Sequence, residues 1–547
     1  MKAIMTRLLS SLPHLRTHLN DWVQSLQPHE RNWALQWVEE IENVKITAIP
    51  LVFSFVFDRD QQVADEAWIV LTCLTARFQE TGWRSLEPVM RSYAAEFPLG
   101  RLGPDDLEKL SRFGNRQSLL LGLASFHGNG YVREAAVRRL DASSDGELPF
   151  LLLRLNDWVE QVHRAALAAC AARLTPENAR QFVANLPYIE SLVEAQRRDL
   201  RPFIQAVEEL LMRPVCLPAL LEGLSSSDSR TCRTCLRLAL AASGEDTTLI
   251  FERAFRSNNP RLRLDAARAL RSLPAGDPVQ MVFLPRLSHD ARASIRCEYL
   301  YLCHEKYPER TAWVLRNALL DPHPSVREAA RYYLKLHEPM DFRLFYRAAL
   351  GGPEVTSLAA VLAGLGETGQ AEDTAVIAPF LHHSSADVRR AAVTAQGKLD
   401  GDNYVAQLLE ALKDSRSRVS RAAREALLPR VFLIPDDALW AAWAGAVTPQ
   451  AKKNALRLML TLPQWRGGVL LVRACAAAAE QEDNDSAMTA QTLVQTWLAC
   501  FNRSALSPTT EQLGQVKSVI EGSQASFGPE ILAALQRILQ DSERLTR

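Results

Sequence analysis

One pair of cysteines and one pair of histidines have spacings that could support chemistry. Cys232-x-x-Cys235 has the spacing of half a zinc site or of a redox dithiol. A structural zinc site needs two more ligands, and the sequence contains no second Cys-x-x-Cys pair. The adjacent His382 and His383 follow an apolar run, where capping or solvation explains them. We therefore predict that both cysteines are small core residues and that the chain has no metal site.

A glycine motif raises the possibility of nucleotide binding. Gly364-x-Gly366-x-x-Gly369 matches the dinucleotide-binding pattern, which needs a strand before it and a helix whose amide end holds the pyrophosphate. Here the preceding residues, Val355 to Leu365, have a helical pattern, so we interpret the glycines as a helix end. The sequence has no His-Glu-x-x-His, no Gly-x-Ser-x-Gly and no phosphate-binding Gly-Lys-Ser/Thr loop. We predict no catalytic residue, no cofactor and a protein that is not an enzyme.

Composition limits the partners and the compartment. The 547 residues include 63 basic and 63 acidic side chains, whereas proteins that coat nucleic acid or anionic membranes usually have a basic excess. The longest apolar stretch, Ile46 to Phe57, contains Pro50 and is too short for a membrane span of about 20 residues. The nine cysteines are odd in number and scattered, unlike a disulfide framework. We expect no membrane span and a cytoplasmic location.

An internal repeat is the most informative feature of the sequence. A short motif such as Val326-Arg327-Glu328-Ala329-Ala330 recurs after polar turns, and we call its first residue the anchor. Successive anchors lie 30 to 33 residues apart, and two gaps of 70 and 62 residues fit two periods each. Weaker copies are expected near Val193 and Val355, and a degenerate copy near Ala451. The clear anchors are Val132, Val162, Cys232, Leu262, Ile295, Val326, Val388 and Val419.

Each repeat has the pattern of two helices. An apolar run precedes a turn rich in Asp, Asn, Ser and Pro, which end one helix and cap the next. The fourth residue after the anchor is alanine in six of eight copies, with Leu236 and Tyr299 as the exceptions. Small residues at this position allow neighbouring helices to approach closely. The predicted fold class is all-α, an α-solenoid of stacked antiparallel helix pairs with a period of about 31 residues.

The pattern Asp-x-x-x-x-Val-Arg-x-x-Ala resembles the HEAT repeat of the armadillo/HEAT superfamily. The resemblance covers residues 111–430, so residues 1–110 and 431–547 are interpreted as divergent helical repeats or caps. It implies a ladder in which turn aspartates bond to arginines of the second helices. The ladder is expected to be partial, because the matching turn position is not acidic for Arg133, Arg233, Arg263 and Arg389, and Asp414 would face Ser420. Its expected members are Asp157, His163, Asp290, Arg296, Asp321 and Arg327.

The resemblance also implies that the second helices line a concave face, where arginines could form a binding stripe. Such a stripe could bind an acidic protein segment or a phosphate backbone. A mixed surface with pairs along each helix, such as Glu134 with Arg138, is the alternative. The candidate stripe residues are Arg138, Arg164, Arg237, Arg268, Arg331, Arg390 and Arg424, and Arg139 and Arg421 are further solvent-side arginines on the helices of Arg138 and Arg424.

Three functions are compatible with this interpretation. The first is a non-catalytic scaffold or adaptor that binds one or more proteins along an extended surface. The second is a HEAT-like protein that binds the phosphate backbone of nucleic acid. The third, which we rank last, is a HEAT-like lyase or glycosylase. Because fold alone does not determine function, the choice depends on the site.

Overall fold

A computed structural model describes residues 11–25, 39–41, 45–76, 82–93, 102–142, 146–242, 244, 247–351, 357–500 and 508–546. Within these ranges the chain forms α-helices, short 3-10 helices and turns, with no β-strand. The predicted all-helical fold class is confirmed. The chain divides into two compact units, one comprising 1–273 with 277–282 and the other 274–276 with 283–547. The three-part division expected from the sequence stays a prediction.

Unit 1 contains fifteen described helices and the start of a sixteenth. In chain order they are α1 (Pro13–Ser25), α2 (Ile49–Phe55), α3 (Gln61–Thr75), α4 (Trp83–Tyr93), α5 (Gln117–Ala124), α6 (Gly130–Asp141), α7 (Leu148–Arg154), α8 (Glu160–Ala172), α9 (Ala179–Ala184), α10 (Leu186–Ser191), α11 (Arg201–Leu211), α12 (Leu217–Gly223), α13 (Ser229–Ala242), α14 (Thr248–Arg256), α15 (Pro260–Ser272) and α16 (Pro278–Ser288), which the division between the units crosses.

Unit 2 continues the pattern of paired helices. Its members are α17 (Ala293–Lys306), α18 (Pro308–Ala318), α19 (Pro324–His337), α20 (Phe342–Leu350), α21 (Leu358–Thr368), α22 (Thr374–Ile377), α23 (Ala386–Asp400), α24 (Val405–Leu412), α25 (Ser417–Leu427), α26 (Asp436–Ala444), α27 (Pro449–Met459), α28 (Gln464–Glu480), α29 (Asn484–Cys500), α30 (Thr510–Gly522) and α31 (Pro529–Thr546). None of the described helices is both long and apolar enough to cross a membrane.

The anchors form the core of the second helices. All eight clear anchors are buried, with at most 6% of their surface exposed. Turn side chains start the helices as the sequence predicts: Asn129 accepts a hydrogen bond from the amide of Tyr131, and Asn259 accepts one from that of Arg261. Alanines four residues after an anchor, such as Ala330 and Ala423, are fully buried. Local capping and the 31-residue pattern therefore place the same face of each second helix in the core.

Close packing between second helices is most evident in unit 2. Here α21, α23 and α25 lie side by side. A Cβ atom on Gly366 would lie 2.6 Å from the Cα of Ala395, and one on Gly397 would lie 2.5 Å from the Cβ of Ala426. These glycines lie inside helices that touch a neighbour, so Gly366 and Gly364 belong to helix packing and not to a nucleotide loop.

The repeat is irregular between residues 176 and 211. Val193, expected near the anchor of a weaker copy, lies in the 3-10 turn Leu192–Glu194 and is 66% exposed. That expectation is wrong, because two six-residue helices, α9 and α10, precede this turn where a regular helix pair was expected. The other weak copy, at Val355, lies outside the described residues.

The cysteines of the Cys-x-x-Cys pair are core residues. Cys232 and Cys235 are buried on α13, and the missing Cβ of Gly223 would lie 2.4 Å from Sγ of Cys235. Burial raises the pKa of the Cys235 thiol to about 12, which opposes thiolate formation. All nine cysteines are free thiols, and no described group of three or more His, Cys, Asp or Glu side chains could hold a metal ion.

Candidate binding surface of the second helices

The arginine–aspartate ladder connects one repeat to the next. Arg133 donates through Nε and Nη2 to the carboxylate of Asp157, at 2.9 Å each, and both side chains are buried. In unit 2, Arg296 binds both carboxylate oxygens of Asp321 at 2.7 Å, and Arg389 binds Asp414 at 2.7 and 3.1 Å. The acidic partner comes from the following repeat, so the expected break at Arg133 and Arg389 was wrong.

The remaining ladder residues have other partners. A ring nitrogen of His163 lies 2.7 Å from the carbonyl oxygen of Leu155. The carboxylate of Asp290 accepts a hydrogen bond from the amide of Arg292, and its carbonyl oxygen accepts one from Arg296. Arg327 donates to the carbonyl oxygen of Asp321 and pairs with Glu367, 40 residues further on. These contacts fix the second helices relative to the turns beside them.

The candidate stripe arginines of unit 1 are paired with carboxylates of their own unit. Arg138 binds Glu134 at 2.8 Å and Arg164 binds Glu160 at 2.7 Å, each one helical turn away. Two more follow in the same unit, where Arg237 pairs with Glu208 and Arg268 lies 3.9 Å from Asp265. In unit 1 the structure therefore matches the mixed, internally paired surface.

Unit 2 holds the other three candidates, and they differ from one another. Arg331 is largely buried and binds Glu367 at 2.8 Å, while Arg424 lies 3.6 Å from Glu425. Arg390 is exposed, and no described carboxylate lies within ion-pair distance of it. Arg390 is the one predicted stripe residue that the described structure leaves without an acidic partner.

Four further cations share this property and lie on α23 or on the second helices α25 and α27. Lys398 is on α23 with Arg390, Arg421 is on α25, and Lys453 and Arg457 are on α27. Each is exposed or half-exposed, and none has a described carboxylate within ion-pair distance. We call these five residues the basic face. It consists of Arg390, Lys398, Arg421, Lys453 and Arg457.

The basic face follows the register of the repeat. Arg390, Arg421 and Lys453 each lie two residues after the anchor of their helix, which is Val388, Val419 or Ala451. All three anchors are buried, so the residues two positions later point to the opposite, solvent side. Because α23 packs against α25 and α25 packs against α27, the three cations form one column across three helices.

The carboxylates on this surface are already engaged. Asp387 on α23 binds Arg418 on α25 at 2.6 Å, one residue before the two anchors. This exposed pair shows that the solvent sides of α23 and α25 are aligned. Glu425 lies beside Arg424 on α25. Both carboxylates therefore lie closer to Arg418 and Arg424 than to the cations of the basic face.

A small cavity adjoins one edge of the basic face. It has a volume of about 150 Å³, and Arg390 and Lys398 line it together with Ala359 and Ala363 of α21. The alanine side chains leave room above α21, and the only carboxylate in the lining, Glu367, is bound by Arg327 and Arg331. An anionic side chain entering this cavity would meet a cationic wall.

Sequence reasoning missed Lys398, Lys453 and Arg457 as candidates. Lys453 could have been found by extending the register to the degenerate anchor at Ala451, since it occupies the same position as Arg390. Whether any of these cations has an acidic neighbour depends on side chains from adjacent helices. No spacing within one helix reveals that.

The comparisons with known proteins concern the repeat and the fold. The family model for HEAT repeats matches residues 346–428, which include α21, α23 and α24. A search of the curated proteins gives no match. Among solved structures, yeast importin-β (Kap95p) has 12% identity and a TM-score of 0.43, with 99% of this chain and 73% of that chain covered. Kap95p with RanGDP has 12% identity and a TM-score of 0.42, with 98% of this chain and 72% of that chain covered. Kap121p has 13% identity and a TM-score of 0.29, with 96% of this chain and 72% of that chain covered.

The family match and the helical geometry agree. The matched residues contain the anchor Val388, the ladder pair Arg389–Asp414 and the anchor Val419. Equivalent ladder pairs occur in both units, at Arg133–Asp157 and Arg296–Asp321. Residues 346–428 are therefore similar to HEAT repeats, and the described residues on either side are helical, with ladder pairs of the same kind.

Proposed function

We propose that this protein is a non-catalytic scaffold or adaptor that binds other proteins in the cytoplasm through the exposed sides of its second helices. The observation that carries the proposal is the basic face. Its five exposed or half-exposed cations have no acidic partner among the described residues, whereas the unit 1 stripe arginines do. Unpaired charges on an ordered surface are available to a partner at no cost of breaking internal pairs.

The repeat supports the same class of function. Stacked repeats expose a long surface on which several side chains from successive helices can contact one partner. The basic face spans three second helices, α23, α25 and α27, so a partner can gain affinity from several weak contacts. Seven buried and two exposed free cysteines favour a reducing compartment, which supports the cytoplasmic location.

Affinity capture from a lysate tests this function. We would compare the wild-type chain with the triple variant Arg390→Gln, Arg421→Gln, Lys453→Gln, and split each sample into nuclease-treated and untreated halves. A protein partner that is retained after nuclease treatment and depleted with the triple variant is expected. The double variant Arg138→Gln, Arg164→Gln is the control, because those arginines are exposed but paired within unit 1.

Nucleic-acid binding is the alternative that the same cations favour. A phosphate backbone would also bind exposed arginines and lysines, and the observed affinity would then fall steeply with salt concentration. Captured material that disappears after nuclease treatment would replace the scaffold proposal with this one. Retention of no specific macromolecule in either half would contradict both.

A further inference from the structure

We infer that the basic face binds an extended acidic protein segment that crosses α23, α25 and α27. The inference rests on the proposed scaffold function and specifies the chemistry of its partner. The three central cations are Arg390, Arg421 and Lys453, one from each helix at the same repeat position. A single segment crossing the three helices would meet them in succession.

The spacing of the column sets the spacing of the partner's acidic residues. Packed helices lie about 8–10 Å apart, so successive cations of the column are separated by roughly that distance. A segment in the extended polyproline II conformation advances about 3.1 Å per residue and has three residues per turn, so every third side chain lies on the same side. Acidic residues at every third position would therefore place one carboxylate near each cation. The expected pattern is acidic-x-x-acidic-x-x-acidic.

Helix α29, which packs against α27, adds an apolar position to this pattern. On α29, Ser486, Ala490 and Val494 are buried at the intervals of an anchor and of its fourth and eighth following residues. Met488 therefore occupies the position that Lys453 occupies on α27, and it is 66% exposed. A thioether side chain adapts to varied apolar partners. The full column reads Arg390, Arg421, Lys453, Met488, which fits three acidic residues followed by one apolar residue.

The charge pattern favours a peptide over a nucleic-acid backbone. Asp387 and Glu425 lie on the same exposed sides as the cations, although each is close to an arginine. A strand with a phosphate at every nucleotide would meet these carboxylates as well as the cations. A peptide with neutral residues between its acidic ones can avoid them. The chain also has no net basic excess, with 63 basic and 63 acidic residues.

Peptide binding measured by fluorescence anisotropy tests the inference on the full-length chain. The probe is a labelled peptide of about twelve residues. It has three glutamates spaced three positions apart, a leucine three positions after the last glutamate, and Gly or Ser elsewhere. A second peptide reverses the order, since an extended segment can run in either direction. A third has the same composition with the glutamates adjacent, and a fourth replaces Glu with Lys.

Binding by one of the two spaced peptides, and weaker binding by the other two, is the expected result. Arg421→Gln should weaken binding about two- to fivefold, which corresponds to an exposed ion pair. The triple variant of the column should weaken it at least tenfold, and the Arg138→Gln, Arg164→Gln control should leave it unchanged. Met488→Ser should weaken the Leu-containing peptide but not its Leu→Ser analogue.

Several outcomes would overturn the inference. Equal binding of the spaced peptide to the wild type and the triple variant would remove the column as its site. Equal binding of the spaced and adjacent-glutamate peptides would show that the spacing of the acidic residues does not match the column. A thymidine oligonucleotide of similar length that binds more tightly, and is lost with the triple variant, would assign the face to nucleic acid. If the wild type and the triple variant capture a protein partner equally, and no peptide binds, the scaffold function would remain and the acidic segment would be rejected.

Circular dichroism and thermal unfolding show whether a variant that binds less peptide is still folded. All the substituted side chains are exposed or half-exposed, so each variant should retain the helical signal of the wild type. A variant that loses that signal would be replaced by the conservative Arg421→Lys, which preserves charge and is expected to retain most of the binding.

Discussion

The guanidinium of Arg133 forms two hydrogen bonds with the carboxylate of Asp157, and both side chains are fully buried in unit 1. Arg154 binds the same carboxylate at 3.0 Å, and Arg133 also donates to the carbonyl oxygen of His127. Burial by itself raises the pKa of Asp157, but its hydrogen bonds and the nearby arginines outweigh that effect and lower the pKa below 3.8. The contact joins a second helix to the turn of the next repeat.

Removing one partner of this pair should be strongly destabilising. Arg133→Met leaves the Asp157 carboxylate buried with one cationic partner fewer, at a cost of roughly 3–5 kcal/mol in the free energy of unfolding. Urea denaturation measures this change. Arg138→Met is the control, since the Arg138–Glu134 pair is exposed and should contribute less than about 1 kcal/mol. Similar losses for the two variants would contradict the structural role of the buried pair.

The ion pairs of Glu367 should make unit 2 sensitive to acid. Burial raises the pKa of Glu367, but its hydrogen bonds to Arg327 and Arg331 and their charges outweigh burial and lower the pKa below 4.5. A carboxylate with a lowered folded-state pKa stabilises the protein above its unfolded pKa and loses that contribution as the pH falls through its folded pKa. Glu367→Gln should therefore be destabilised by about 3 kcal/mol at pH 7.

That difference between wild type and Glu367→Gln should shrink once the pH falls below 4.5. Thermal unfolding at a series of pH values follows it. Glu410→Gln serves for comparison because Glu410 pairs with Lys413 at the surface and is 62% exposed. A Glu367→Gln effect that stays constant with pH would refute the charge-based account.

Two glycine substitutions should change stability in opposite directions. Ala is preferred to Gly inside a helix by about 1 kcal/mol, and Gly514 on α30 has nothing within 4 Å of its missing Cβ. Gly514→Ala should therefore be stabilising. Gly366→Ala would place its Cβ 2.6 Å from the Cα of Ala395, so it should be destabilising by about 1–3 kcal/mol as α21 and α23 separate.

Differential scanning calorimetry of the two glycine variants shows directly whether each substitution raises or lowers the stability. A stabilised Gly366→Ala would mean that α21 and α23 do not pack as closely as described.

His304 on α17, which contacts His337 on α19, should have a lowered pKa. A ring nitrogen of His304 lies 2.8 Å from one of His337. Burial, and then the charge of His337, lower the pKa of His304 below 6.5. Because the folded-state pKa is lower than the unfolded one, the interaction destabilises the fold as the pH falls below 6.5.

His337→Gln should raise the pKa of His304 towards 6.5, as measured by NMR titration of the imidazole protons. His289→Gln, which changes a different turn, should leave that pKa unchanged. An unaltered His304 titration in His337→Gln would show that the two rings do not interact in solution.

The sequence by itself determined the repeat and most of its core. An anchor every 30 to 33 residues, followed by a small residue four positions later, is a local pattern, because one helix buries one face. It therefore identified buried positions such as Val326, Ala330 and Val419. It failed near Val193, where the short helices α9 and α10 break the period and no local signal marks the change.

The tertiary structure decided which polar side chains are partners. Arg133 has no acidic residue in its own turn, yet Asp157 reaches it from the next repeat, 24 residues away. The predicted stripe arginines look alike in sequence, but Arg138 is paired while Arg390 has no described acidic neighbour. Pairing depends on the distance between side chains of different helices, which is set by packing and not by the composition of either helix. The periodic pattern thus predicts the scaffold, while the packed helices determine where its unpaired charges lie.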